Sequence, residues 1–267
     1  SSRAARTFAL ILVFGAALAI RLYDLTDLPL DFHPTRQLVS FIKARGLYYQ
    51  TKPDGVSAEE LKTAVRFAKL KADVEPVVFE NLVAFTYRFT REQVWVARMY
   101  SSLFWLIGGI FLFLLARDFV SFDGALVSTA YYLLFPYAIL GSRSFQPDPL
   151  MVMLIVAFWW AFSRWIRAPS WRYVVLSGLL GGFAIFIKFS AAFFVIGGAL
   201  GLALARFTLR DLLRNAQVYI IAVLGALPAV LYLIYGIFVR GDLASQFSGR
   251  HVPCPLEAGP AGDGDVH

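Results

Sequence analysis

Charge is scarce in this chain. Asp, Glu, Lys and Arg make up 16 % of its 267 residues, against roughly 25 % in a usual soluble domain. With 58 % hydrophobic residues, Phe alone supplying 25, and a mean hydropathy of +0.63, a soluble fold of this length has no means of covering its apolar surface. Cysteine is nearly missing too. The single Cys254 excludes an internal disulfide and argues against a thiolate-rich metal site. No Gly-rich phosphate loop, nucleotide-fold pattern or long-period repeat occurs. Acidic residues are the scarcer sign: 25 Lys and Arg face 18 Asp and Glu, a net charge of +7. In a soluble domain that balance raises nucleic acid as a partner. Here many of the arginines sit at the ends of apolar runs, where they anchor helices at a membrane interface, so membrane lipids are expected as partners and nucleic acid is not.

What the chain has in quantity is apolar runs. They fall at residues 8–23, 94–115, 125–140, 150–165, 173–187, 189–205 and 218–239, and each reads as a membrane-crossing helix. The small residues Ala16-Ala17-Leu18-Ala19 suggest a signal peptide for the first. Without a clear cleavage site before the polar loop, and with many spans following, it reads as a transmembrane helix with a basic, cytoplasmic N-terminus. The expected fold is therefore all-α and polytopic, with about seven spans. Residues 1–240 form one transmembrane domain. Residues 241–267, with Pro253-Cys254-Pro255 and a Gly-, Pro- and Asp-rich composition, read as a disordered or atypical tail. No apolar run follows, so the chain reads as a fragment.

Between the first two spans lies a long polar loop, 24–91. Leu38, Phe41, Ile42, Arg45 and Tyr49 recur at helical spacing, an amphipathic face suited to lying on a bilayer. Pro53-Asp54-Gly55 is a turn. Ser57 with Glu60 forms a capping box opening a helix to about Lys71. After Glu75-Pro76, a further half-apolar helix is expected at Val77–Phe89. Counting crossings places the turns holding Arg117, Arg164 to Arg172 and Arg206 to Arg214 inside, as positive-inside asymmetry requires. Asp31, the Arg143–Asp148 turn and Lys188 then share the outer face.

Those three clusters hold the candidate chemistry. In Leu28-Pro29-Leu30-Asp31-Phe32-His33-Pro34-Thr35-Arg36-Gln37, Pro34 disfavours helix at His33. Asp31 and His33 are expected on a bent, extended segment, with Arg36 in the first turn of a helix that begins near Thr35, where backbone N–H groups attract anions. A carboxylate beside an anion site at a membrane surface suits a sugar transferase with a lipid-phosphate donor. Asp31 would act as the base, or else cap a helix or pair with Arg36. Arg36, Arg143 and Lys188 are candidate phosphate holders. Lys188 interrupts an apolar stretch of more than thirty residues, Val174–Ala205, which makes it a functional-site candidate by default or a snorkelling side chain. Asp148, between two prolines, would steer His33 or an arginine, bind the acceptor, or cap the helix at Leu150. His33, Asp31 and Asp148 are the set on which a divalent cation would sit. Otherwise no cofactor is implied.

These features in this order resemble the GT-C fold membrane glycosyltransferases, in the group of the dolichyl-phosphate-mannose protein mannosyltransferases and aminoarabinose transferases. The resemblance covers residues 8–240. It rests on the early acid of Leu28-Pro29-Leu30-Asp31, on Glu75-Pro76-Val77-Val78-Phe79-Glu80, on the Ser142-Arg143 to Asp148 turn, and on the Gly-rich span from Gly178 to Lys188. It implies Asp31 as the catalytic acid and Arg36 as a donor contact. It also implies a polyprenyl-phosphate sugar donor, an acceptor that is a protein hydroxyl, a glycan or a lipid, and an active site on the extracytoplasmic face of the plasma membrane. Phe32 stands where many relatives have a second acid, and Glu75 stands where aminoarabinose transferases have lysine, so the sugar is left open. The alternatives are a carrier or flippase for a lipid-linked or anionic solute, and a scaffold subunit of an active partner.

Overall fold

The computed structural model describes residues 2–70 and 75–240, so the tail at 241–267 lies outside the described residues, and the helix expected to run to about Lys71 ends at Lys69. Among the described residues there are helices and no strand, and the protein is a polytopic helical membrane protein. Helix α1 spans Arg3–Leu22. The loop carries α2 (Pro34–Tyr49), α3 (Ala58–Lys69) and α4 (Val78–Thr90). The bundle continues with α5 (Val94–Ala116), α6 (Phe122–Leu134), α7 (Pro136–Gly141), α8 (Asp148–Arg167), α9 (Trp171–Ile187), α10 (Ala191–Leu204), the short α11 (Leu209–Arg214) and α12 (Ala216–Tyr235). All seven apolar runs are helical. By length and composition, α1, α5, α8 and α12 with the π turn after it can each cross a bilayer. Helix α10, with 14 residues, rises about 21 Å, short of a hydrocarbon core of roughly 30 Å.

The run at 125–140, expected as one span, is two helices. Pro136 has no N–H to give to the Tyr132 carbonyl, and the chain breaks at Phe135. In an apolar bundle no water replaces the lost bonds, and side chains from other helices do so instead. Trp105 Nε1 donates to Tyr132 O at 3.1 Å. Arg21, fully buried, donates to Leu133 O at 2.9 Å, to Ser142 Oγ at 2.8 Å and back to Ala17 O at 3.0 Å. The break is thus the seam that joins α1 and α5 to α6.

Helix α8 is the most enclosed element. Phe158, Phe162 and Trp165 pack with Val174 and Ile187 of α9. Helices α9 and α12 come close because α9 has glycine at the contact: a Cβ on Gly182 would collide with the Leu224 carbonyl. Small residues let membrane helices approach in this way. One end of the bundle gathers Asp118 with Arg164 at 3.1 Å and Arg167 at 3.3 Å, and Arg6 and Arg117 over the Phe122 ring. The other end carries the loop helices.

The Ser57–Glu60 capping box is present. Helix α2 has two faces. Leu38 and Ile42 are exposed, whereas Gln37, Ser40, Ala44 and Tyr48 are buried against α3 and α4. Tyr48, Phe79, Val83 and Tyr87 form a second core there with Phe145. Tertiary partners took the small and polar face of α2, because it is the face that a neighbouring backbone can approach closely.

If Arg21 serves the broken helix, Arg21→Met leaves a carbonyl and a hydroxyl without a donor and costs about 1–3 kcal/mol. The cost should fall to about half or less in a Pro136→Ala background, where the helix can close its own bonds. Thermal unfolding of the four proteins in detergent measures this, and an equal loss in both backgrounds rejects the explanation.

Candidate active site at the loop end of the bundle

Asp31 sits on a turn made by its neighbours. His33 occupies the left-handed region at φ 49° and leads into Pro34 at the start of α2. The segment is therefore not the extended one expected: Pro34 does exclude helix at His33, and the chain reverses by the left-handed alternative. Asp31 Oδ1 accepts from the Phe32 N–H at 2.8 Å and from Gln37 Nε2 at 3.2 Å. Partial burial pushes this carboxyl up, but the Phe32 N–H and the Gln37 amide outweigh it and hold it below the usual carboxylate range. Asp31 is thus an ionised, exposed carboxylate at neutral pH, in the state a base needs.

Gln37 was not singled out from the sequence, yet it organises the site. Its buried amide also donates to Phe32 O at 2.6 Å and accepts from the Phe145 N–H at 3.1 Å. Gln146 Nε2 reaches the same Phe32 carbonyl at 3.3 Å. Two glutamines therefore splice the Asp31 turn to the segment 145–148. Arg98 lies near the start of α5. It is buried and donates to Asp24 O at 2.6 Å and Leu28 O at 3.3 Å, holding the loop that leads to Asp31. The available signal for Arg98 was a cation inside an apolar run. Gln37 gave none beyond being polar.

Each candidate phosphate cation already has partners. Arg36 faces Glu75 at 3.4 Å, not Asp31. Lys188 closes α9 and donates to Asp148 Oδ1 at 2.8 Å. Arg143 donates to the carbonyls of Tyr23 and Asp24, fastening the end of α1. Asp148 does not cap α8: it is the first helical residue, and Pro147 holds the cap position without a side-chain bond. Its carboxylate goes to Lys188 because a full charge in a half-buried place is a stronger partner than a backbone N–H. The other oxygen, Asp148 Oδ2, is buried without a hydrogen bond. Among the described residues no three His, Cys, Asp or Glu gather to hold a metal ion, so His33, Asp31 and Asp148 do not form a set.

Between α2, α4 and the 146–147 segment lies a cavity of about 440 Å³, lined by Arg36, Ser40, Lys43, Glu75, Glu80 and Gln146 among others. Glu80 is buried and accepts from Ser40 Oγ at 2.8 Å. The sequence carried Glu80 inside a motif but gave it no role.

A helical membrane bundle that presents an ionised carboxylate, several cations and a polar cavity at one end has the parts of a transferase working at a membrane surface. The family model for dolichyl-phosphate-mannose-protein mannosyltransferase matches residues 74–235, more than half of the chain, and the chain belongs to this family. It is an integral membrane glycosyltransferase of the kind that uses lipid-linked sugar donors. The match includes Glu75, Arg143, Asp148 and Lys188 and begins after Asp31, His33 and Arg36. No curated protein and no solved structure matches the chain.

The depressed carboxyl gives a signed prediction. A group whose folded pKa lies below its free value stabilises the fold above that free value, about 3.9 for Asp, and loses this effect as pH falls through the folded value. Asp31→Asn should therefore lower the melting temperature at pH 7 and have a smaller effect at pH 3, and an effect undiminished at pH 3 contradicts the assignment. Gln37→Leu, which orphans the Phe145 N–H, should cost about 1–3 kcal/mol in the same assay.

Proposed function

We propose that the protein transfers a sugar from a polyprenyl-phosphate donor to an acceptor hydroxyl, with inversion, on the extracytoplasmic face of the plasma membrane, and that Asp31 is the general base. The acceptor oxygen attacks the anomeric carbon while its proton passes to the Asp31 carboxylate. The bond from that carbon to the phosphate oxygen breaks, its electron pair stays on the leaving polyprenyl phosphate, and the cations at this end of the bundle meet the developing charge. Arg36 and Lys188 are the donor-phosphate ligands in this reading, and Arg143 adds positive potential from the turn it anchors. His33, Glu75 and Asp148 support them. Charge on the leaving group is met by side chains, so the step is written without a cofactor.

The observation that carries the reading is the splice between Asp31 and Lys188. From Asp31 the bonds run through Gln37 to Phe145, and three residues later Asp148 meets Lys188. A base and a phosphate cation, 157 residues apart in the sequence, are thereby held at the same end of the bundle. Arg36 is exposed and Glu75 partly buried, and a pair open to water on one side contributes on the order of 1 kcal/mol or less, so an incoming phosphate can displace the carboxylate. Assignment of this end to the outer face follows the arginine-rich turns at the opposite end.

The test is reconstitution of the chain in liposomes with a labelled polyprenyl-phosphate sugar and a mixture of protein, glycan and lipid acceptors. Wild type should consume donor, and Asp31→Asn should lose about 10²–10⁴-fold in rate while still binding donor. Lys188→Gln should raise the donor KM more than it lowers kcat. Label that crosses the bilayer with its sugar–phosphate bond intact, in wild type and Asp31→Asn alike, would identify a carrier instead.

A further inference from the structure

The cavity between α2, α4 and the 146–147 segment has an unusual wall. Two carboxylates, Glu75 and Glu80, and two cations, Arg36 and Lys43, line it together with Ser40 and Gln146. Its volume of about 440 Å³ falls in the range of small-molecule sites, roughly 300–1,000 Å³. The position is set by α2. Gln37 and Ser40, three residues apart on its buried face, are about 5–6 Å apart at Cβ. Gln37 bonds the Asp31 carboxylate, and Ser40 bonds that of Glu80. Two acids from distant parts of the chain are thus tied to neighbouring positions of α2, one exposed at the base position and one buried in the cavity wall. Gln146, which bonds the carbonyl next to Asp31, lines the same cavity.

We propose that this cavity is the acceptor subsite and that it takes a neutral, hydroxyl-rich ligand, a saccharide, gripped by Glu80. The proposal rests on the transferase reading above and names its acceptor class. With Arg36 given to the donor phosphate, the acceptor is left Lys43 and the carboxylates of Glu75 and Glu80, so an anionic acceptor meets those carboxylates and a cationic one meets Lys43. A neutral saccharide suits both signs: neighbouring hydroxyls donate to a carboxylate as a pair, and hydroxyl oxygens accept from Lys43. With neighbouring hydroxyls held by Glu80, Gln146, which lines the cavity and bonds the carbonyl next to Asp31, connects the bound ligand to the Asp31 turn.

The experiment has a binding arm and a turnover arm, with the full chain in phosphatidylcholine nanodiscs. In the first, saturation-transfer NMR with methyl α-mannopyranoside should show binding to wild type and to Asp31→Asn. Binding should weaken at least tenfold in Glu80→Gln, which keeps the Ser40 bond, and in Val39→Trp, which fills the cavity without changing its charges. In the second, Glu80→Gln should raise the KM for a saccharide acceptor at least tenfold and leave the donor KM unchanged. Glycoside binding no greater than to empty nanodiscs, or undiminished in Val39→Trp, overturns the proposal. So does cavity-dependent binding of a Ser- and Thr-containing peptide but not of the glycoside, which would assign the cavity to a protein acceptor. Asp31-dependent turnover that ignores Glu80→Gln defeats the acceptor assignment alone. Donor turnover indifferent to Asp31→Asn defeats the transferase reading and leaves the binding arm to judge the cavity.

Discussion

Backbone groups freed inside an apolar bundle have to be satisfied by side chains, and this constraint shapes the protein. The break at Pro136 releases the carbonyls of Tyr132 and Leu133. Trp105 and Arg21 take them, and in doing so bind three helices together. The turn that follows repeats the device on a polar scale. Ser101 Oγ holds the Ser144 carbonyl at 2.7 Å, and Gln37 holds the Phe145 N–H at 3.1 Å. Because each irregular stretch is fastened by a side chain from elsewhere, the loop end of the bundle is irregular in path and determinate in position. Such irregularity at membrane depth is tolerated only where protein covers it.

The same end is also charge-balanced by local pairing. Arg36 has Glu75, Lys188 has Asp148, Ser40 serves Glu80, and Arg143 and Arg98 hold carbonyls of the segment 23–28. Two kinds of cation emerge from this. Arg21 and Arg98 are buried and their donors go to backbone carbonyls and, from Arg21, to the Ser142 hydroxyl, so they belong to the scaffold. Arg36 and Lys188 face carboxylates at a rim that water reaches, so an anionic ligand can compete for them. Asp31 belongs to neither group: its partners are an N–H and an amide, which keep it ionised without neutralising it. That separation of an available carboxylate from exchangeable cations is what chemistry on a phosphate-linked sugar requires.

Much of the scaffold was legible in the residues. Every apolar run is helical, the Ser57 box caps α3, and the arginine-rich turns lie together at one end of the bundle, because hydropathy, capping and interfacial charge act locally. The failures share a cause. The Pro136 break was hidden in a run that looked uniformly apolar, since its consequences are repaired by Arg21 and Trp105 from other helices. The face of α2 that α3 and α4 cover was not read, because the small and polar residues on it carry no hydropathy signal. Asp148 was expected as a cap because Pro-Asp-Pro has the right local chemistry, but Lys188, forty residues on, outbids the helix N-terminus. Gln37 and Glu80 carried no local signal at all.

The sequence by itself determined that this is a helical membrane protein, where its helices run, and which few charges sit between them, because those outcomes depend on residues near one another in the chain. Tertiary structure alone decided which charges meet. Asp31 finds Gln37 and not Arg36, Lys188 finds Asp148, and Glu80 finds Ser40. Those pairings depend on how broken and short helices pack. In a medium without water every polar group takes the nearest available partner, and the packing decides which partner that is.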